Sequence, residues 1–211
     1  MQIIPRYLLC DMDGTLIDTE ILKFHAWHSA IGEAHGSMPD ETAFSLEYAE
    51  LVGAPAMHMS HAFIESWKLD MTPEALHDIR ERYRVEAYAN PETLRGLVRS
   101  EVVSLVENMR DGMRVMGGGQ ILLVTTATQG QVDTVMAATD LCEMFDHVVC
   151  GFEKSRENPV CYREALSLLD CRPEECLALE DTIHGFEAAR AVGVPCILLP
   201  NTFVRMKAER P

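Results

Sequence analysis

The run Tyr7-Leu8-Leu9-Cys10 ends in Asp11-Met12-Asp13 and passes at once into Gly14-Thr15, a succession that leaves few folds open. An apolar run of this length, closed by turn residues, reads as a buried strand. The two carboxylates then put negative charge at its carboxyl end, the edge at which ligands bind in open α/β sheets. Such charge is costly to bury without a partner, and a hard cation such as Mg²⁺ is the natural one. Gly14 lets the chain leave the strand sharply.

Further strands are expected over 120–126, 147–150, 176–179 and 195–199, besides 6–12, and helical patterns separate them. Strands alternating with helices are the α/β signature. The long interval after the first strand reads as helical. Thr72-Pro73 has the form of an N-cap and first helical residue, and Leu76, Ile79, Tyr83 and Ala87 follow on one face. Val102, Leu105, Val106, Met109, Met113 and Met116 repeat at helical spacing up to Gly117-Gly118-Gly119. The expected organisation is an α/β core from 1–17 and 93–211 with a helical insert, a cap, over 18–92. A chain of 211 residues with 47% hydrophobic content can bury a core of that size.

The formal charge of −15 argues against a nucleic-acid surface. No stretch approaches the roughly 20 apolar residues of a membrane span, and the N-terminus lacks the form of a signal peptide. The seven cysteines include no Cys-x-x-Cys pair, so a disulfide or zinc framework is not expected and a reducing cytoplasm is. No obligate protein partner is evident. His25-x-x-His28 and His58-x-x-His61 lack further ligands at zinc spacing and read as packing or surface histidines. Lys23, close to the first acidic loop, is placed to reach a substrate, whereas Lys68, Arg80, Arg82 and Arg84 read as solvated helix charges.

Two later segments repeat the pattern of an apolar run ending in polar residues. Ile121-Leu122-Leu123-Val124 ends in Thr125-Thr126, and Thr128 and Gln131 then have capping-box spacing. Hydroxyls and helix-start amides there can receive phosphate oxygens. Leu177-Ala178-Leu179 ends in Glu180-Asp181-Thr182, followed by a helix that stops at Gly193, with Pro195 opening the next strand.

Together the strings Asp-Met-Asp-Gly-Thr-Leu-Ile-Asp-Thr, the strand ending in Thr125, and Glu-Asp-Thr-Ile-His-Gly resemble motifs I, II and IV of the haloacid dehalogenase superfamily. The cap position resembles its β-phosphoglucomutase and phosphoglycolate phosphatase branch. That resemblance implies a Rossmann-like parallel five-stranded sheet with helices on both faces and an inserted all-helical cap. It implies a Mg²⁺-dependent phosphatase that acts on a small phosphorylated metabolite through an aspartyl-phosphate. Asp11 would be the nucleophile and Asp13 the acid/base. Asp11, the Asp13 backbone carbonyl, Asp181 and, mainly through water, Glu180 would hold the metal, while Thr125 and Thr126 bind phosphate.

Motif III departs from the family. Where Lys-Pro-x-Pro-x-x-Tyr is usual, this chain has Arg156-Glu157-Asn158-Pro159-Val160-Cys161-Tyr162, with Lys154 two residues earlier. Position favours Arg156 as the phosphate-clamping cation, and the compact ammonium of Lys154 favours that residue on chemistry. Arg156 is expected to take the role, and Asn158-Pro159 to start the next helix. A phosphomutase is the alternative reading, although the loop Val52–Met57 has no arginine, and a weakly active or non-catalytic phosphate-binding protein is another. Asp13 argues against a dehalogenase.

Overall fold

The structure is a computed structural model that describes residues 5–208. Its strands are β1 (Tyr7–Cys10), β2 (Gln120–Val124), β3 (His147–Val149), β4 (Cys176–Glu180) and β5 (Cys196–Leu198). They form one parallel sheet in the order β3-β2-β1-β4-β5. Cys10 lies level with Leu123 of β2 and Leu179 of β4, so the polar residues that follow these strands emerge side by side at one sheet edge.

Helices α1 (Glu20–His35), α2 (Glu41–Leu51), α3 (Ala56–Trp67) and α4 (Pro73–Tyr88) lie between β1 and β2, followed by α5 (Pro91–Gly96) and α6 (Ser100–Val115). The rest of the chain adds α7 (Gln129–Thr139), α8 (Val160–Leu169), α9 (Ile183–Ala191) and α10 (Thr202–Ala208).

Side-chain alternation along the strands divides the core into two layers. Leu8, Cys10, Ile121 and Leu123 pack with Val106 of α6 and Val135 of α7 on one face. Leu9, Leu122, Val124 and Ala178 pack with Tyr162 of α8 and Ala188 of α9 on the other. The architecture is therefore α/β and Rossmann-like, with helices on both faces of a five-stranded parallel sheet.

The inserted helices have a separate core of aromatic side chains, with Phe24, Trp27, Phe44, Tyr48 and Phe63 buried together. Thr72 caps α4 by accepting the Ala75 amide at 3.2 Å, with Pro73 as the first helical residue, as the spacing requires. Where the chain leaves and rejoins the sheet it pairs with itself, Asp18 N–H donating to Leu97 at 2.8 Å and Arg99 N–H to Leu16 at 2.8 Å. One helical residue from outside the insert, Phe203 of α10, is buried among the insert's aromatics, although its sequence position assigns it to the core. Helix α8 starts at Val160 rather than at Pro159, and Asn158 does not cap it; the Asn158 amide group instead donates to Glu153 at 2.7 Å.

Candidate active site

The ends of β1 and β4 place Asp11, Glu180 and Asp181 with carboxylate oxygens within 4.8 Å of one another, all three buried. Gly14 and Gly185 make this crowding feasible. A Cβ on Gly14, whose φ is +82°, would lie 1.9 Å from Asp181 Oδ2, and one on Gly185 would lie 2.0 Å from Glu180 Oε2. Thr15 donates to Asp11 Oδ2 at 3.0 Å and lies 3.4 Å from Asp181 Oδ1. Asp13 is half-buried, and its Oδ1 accepts from Thr19 at 2.5 Å and from the Tyr88 hydroxyl at 3.3 Å. Tyr88, the last residue of α4, thus ties the end of the insert to the second acid of the loop.

The cation that reaches this group is Lys154. Its ammonium donates to Asp11 Oδ1 at 2.5 Å, to Glu180 Oε1 at 2.9 Å and to the Val124 carbonyl at 2.8 Å, with its side chain only 5% exposed. Burial alone would lower its pKa, but the Asp11 and Glu180 carboxylates outweigh that and hold it above the ordinary lysine value. Tyr162 adds a hydroxyl donated to Glu180 Oε1.

Arg156, expected from its spacing to Tyr162, is exposed and does not line the cavity above the acids, which corrects the order of the two candidates. The segment between Lys154 and α8 folds back on itself, with the Asn158 amide donating to Ser155 Oγ at 3.1 Å and Asn158 Nδ2 to Glu153 at 2.7 Å. Counting back from the helix therefore lands on the solvent side of a turn.

Burial, then the neighbouring charges of Asp11 and Glu180, push the Asp181 carboxyl well above the usual range, against a hydrogen bond from Asn201. Burial and Asp11 likewise raise Glu180 to about 7, opposed by Lys154 and Tyr162. Three carboxylates face one ammonium here, and the pair at the end of β4 responds by favouring protons. A small hard cation fits this set of oxygen donors.

At the end of β2, Thr126 is exposed on the cavity wall. Thr125 is buried behind it, its hydroxyl accepting the Ala127 amide at 3.1 Å. Gln131 closes the start of α7 by accepting the Thr128 amide at 2.7 Å, the capping contact its spacing implies.

These residues floor a cavity of about 880 Å³ whose opposite wall comes from the insert: Glu20, Lys23 and Trp27 of α1, Tyr48 of α2, and Arg80 of α4. Glu20 is buried, accepts the Tyr48 hydroxyl at 2.5 Å and pairs with Lys23 at 3.1 Å. Arg80 is not a solvated helix charge, as its sequence setting suggests, but 7% exposed and seated over the Trp27 ring. Its Nη1 pairs with Glu81, while its Nε and the Trp27 Nε1 are buried donors with no hydrogen-bond partner among the described residues. Arg82 does sit at the surface, paired with Glu33. Sequence reasoning missed Glu20, Tyr48 and Arg80. A faint signal existed, because Arg80 lies one turn from buried Leu76 on the same face of α4.

Residues 8–199 match the family described as haloacid dehalogenase-like hydrolase. The chain is 28% identical over 195 residues to the fructose-1-phosphate phosphatase YqaB of Escherichia coli, covering 90% of this chain and 94% of that protein. It is 30% identical over 210 residues to CbbY of Cereibacter sphaeroides, covering 94% and 85%. A mutant CbbY from Rhodobacter sphaeroides, solved in complex with xylulose-(1,5)bisphosphate, superposes with a TM-score of 0.71 at 27% identity, covering 96% of this chain and 89% of that one. A β-phosphoglucomutase from Clostridium difficile shares the fold, with a TM-score of 0.69 at 15% identity over 96% of this chain and 88% of that one. The acids at the ends of β1 and β4, the helical insert after β1 and these likenesses agree, and the chain belongs to the haloacid dehalogenase-like hydrolases, as an enzyme of that family.

Proposed function

We propose that the protein is a Mg²⁺-dependent phosphatase of a phosphorylated sugar, working through an aspartyl-phosphate on Asp11, with residues 18–92 as its cap. One observation carries the reading: a buried excess of carboxylate over ammonium at the floor of a cavity large enough for a small metabolite. Asp11, the backbone carbonyl of Asp13 and Asp181 would hold the ion, with Glu180 in support. When bound, Mg²⁺ supplies charge screening between carboxylate and phosphate.

Asp11 attacks phosphorus, and the bond from phosphorus to the sugar oxygen breaks as that oxygen takes a proton from the Asp13 carboxyl. The Asp13 carboxylate then accepts a proton from a water that attacks the same phosphorus. The bond to Asp11 breaks and inorganic phosphate leaves. Lys154, held against Asp11, offsets the repulsion between carboxylate and phosphoryl group. Thr126 on the wall receives phosphoryl oxygens, together with Thr125, whose hydroxyl accepts the Ala127 amide and keeps its own proton to donate.

The cap wall supports the sugar class. Glu20 offers an acceptor for substrate hydroxyls beside Lys23 and Arg80, which suit phosphate or sugar oxygens. Relatives named as phosphatases of fructose 1-phosphate and of phosphorylated carbohydrates support that class. The sheet-edge acids, the absence of any helix long and apolar enough to cross a membrane, and seven free thiols among the described residues are consistent with work on a dissolved metabolite in a reducing cytoplasm.

A panel of sugar monophosphates, sugar bisphosphates, phosphoglycolate and nucleotides, assayed for released phosphate with and without Mg²⁺, tests the proposal. Sugar phosphates should lead the panel and EDTA should abolish release. Activity that is indifferent to EDTA, or a preference for nucleotides, would refute it.

A further inference from the structure

After β5 the chain does not remain with the sheet. Asn201 is 1% exposed, and its Nδ2 donates to Asp181 Oδ2 at 2.6 Å. Its orientation is fixed from the other side, because Oδ1 accepts the Val204 amide at 3.0 Å and so caps α10. Two residues on, Phe203 is 3% exposed inside the insert's aromatic cluster, with its ring 5.2 Å from that of Phe24 and 4.9 Å from that of Tyr48. Tyr48 is the residue that donates to Glu20 on the cavity wall. Lys207 continues along the insert, bonded to the Glu50 carbonyl at 3.2 Å and paired with its carboxylate at 3.1 Å.

We propose that the segment 201–207 is a strap joining the seating of the cap to the orientation of Asp181, with Asn201 as the positioning residue for that carboxylate. The inference rests on the proposed metal site. Asp181 has two oxygens, and the Asn201 amide engages Oδ2, fixing the plane in which the carboxylate is presented to an ion. The amide can do so only while α10 keeps its N-terminal turn, and α10 is anchored through Phe203 in the cap. A cap that swings away withdraws Phe203, loosens the cap of α10 and releases the Asp181 carboxylate. Substrate entry, which needs the cap away, and metal grip, which is strongest with the cap seated, are then opposed by construction.

The full chain and its variants are titrated with Mg²⁺ alone, and the midpoint of the Mg²⁺-dependent rise in melting temperature is read for each. Asn201→Ser keeps an oxygen that caps α10 but cannot reach Asp181. It should leave the metal-free melting temperature close to wild type and weaken Mg²⁺ by about tenfold or more, the scale of a lost partner to a metal ligand. Phe203→Ala should weaken Mg²⁺ in the same direction, and Phe203→Leu should recover most of the loss. Wild-type Mg²⁺ affinity in Asn201→Ser, with Asp181→Ala unresponsive to Mg²⁺, would overturn the strap and leave the metal site standing. Weakening by Asn201→Ser but not by Phe203→Ala would overturn the coupling to the cap. A wild-type response in Asp181→Ala would refute the metal site itself, and the strap's role toward the ion with it.

Discussion

The floor and the roof of the cavity are built by opposite rules. On the floor, the acids and hydroxyls stand at the end of a strand or within three residues of it, the parallel register delivers neighbours to one edge, and Lys154 joins them from the loop after β3. Asp11 follows β1 directly, Glu180 closes β4 and Asp181 follows it. The roof comes from separate helices whose side chains meet only through packing; Glu20 and Tyr48 are 28 residues apart in the chain and 2.5 Å apart in space. On the proposed reading, chemistry sits where the backbone is most constrained, and selectivity where helix packing can drift without disturbing it. If that division holds, floor substitutions should damage turnover on every substrate and roof substitutions should damage only the cognate one.

The largest effect is expected at Asp11, the proposed nucleophile. Asp11→Asn should lower Mg²⁺-dependent phosphate release by at least about a thousandfold on aryl and sugar phosphates alike, as when a covalent nucleophile is lost. Trapping ³²P on the wild-type chain at low pH, and its absence in Asp11→Asn, provides the direct check. Asp11→Asn with wild-type turnover would break the covalent mechanism.

Next is the cation. Lys154→Ala should cut kcat by roughly a hundredfold or more, the scale of one lost transition-state donor. Arg156→Ala should change it by less than about threefold, because exposed charges beyond the cavity are largely screened. The reverse ranking in steady-state assays would return the role to Arg156.

This pair also shows where reading the chain stops. The acids, the hydroxyl ends and the caps of α4 and α7 are legible because each depends on residues within a few positions of one another. Thr72 at α4, Gln131 at α7 and the apolar strands all behave as their spacing requires. Which cation reaches the acids is not legible, because two extra residues are taken up in a turn before α8 and a loop can absorb length without moving its anchors. Arg80 and Phe203 are illegible for a different reason. One looks like a surface charge until Trp27 covers it, and the other like a tail residue until the aromatic cluster receives it.

The roof is tested with a smaller effect and a sharper contrast. Arg80→Ala and Glu20→Gln should each raise KM for the best sugar phosphate by about tenfold, the worth of one charged hydrogen bond. Both should leave aryl phosphate turnover within about twofold. Equal damage to both substrates would place these residues in the chemistry and dissolve the contrast between floor and roof.

The smallest effect concerns pH, and it tells a proton from a cation at the same carboxylates. Glu180 is raised to about 7, mainly by burial, and Asp181 is raised in the same direction. A glutamate in the unfolded chain titrates near 4.3. Its contribution to stability is therefore complete below that value and is lost as pH rises through about 7. Without metal, the melting temperature should fall between pH 5 and pH 8, on the order of a few degrees for a chain of this size. Carboxyls lowered by surface partners, such as Glu33 and Glu175, act only at more acidic pH and do not enter this window. Mg²⁺ must displace those protons to bind, so its stabilising effect should grow over the same interval. Glu180→Gln removes one of the two groups and should flatten both trends. A metal-free melting temperature that climbs from pH 5 to pH 8 would mean that the acids at the end of β4 are already charged and balanced within the protein, and the floor would then have no need of an ion.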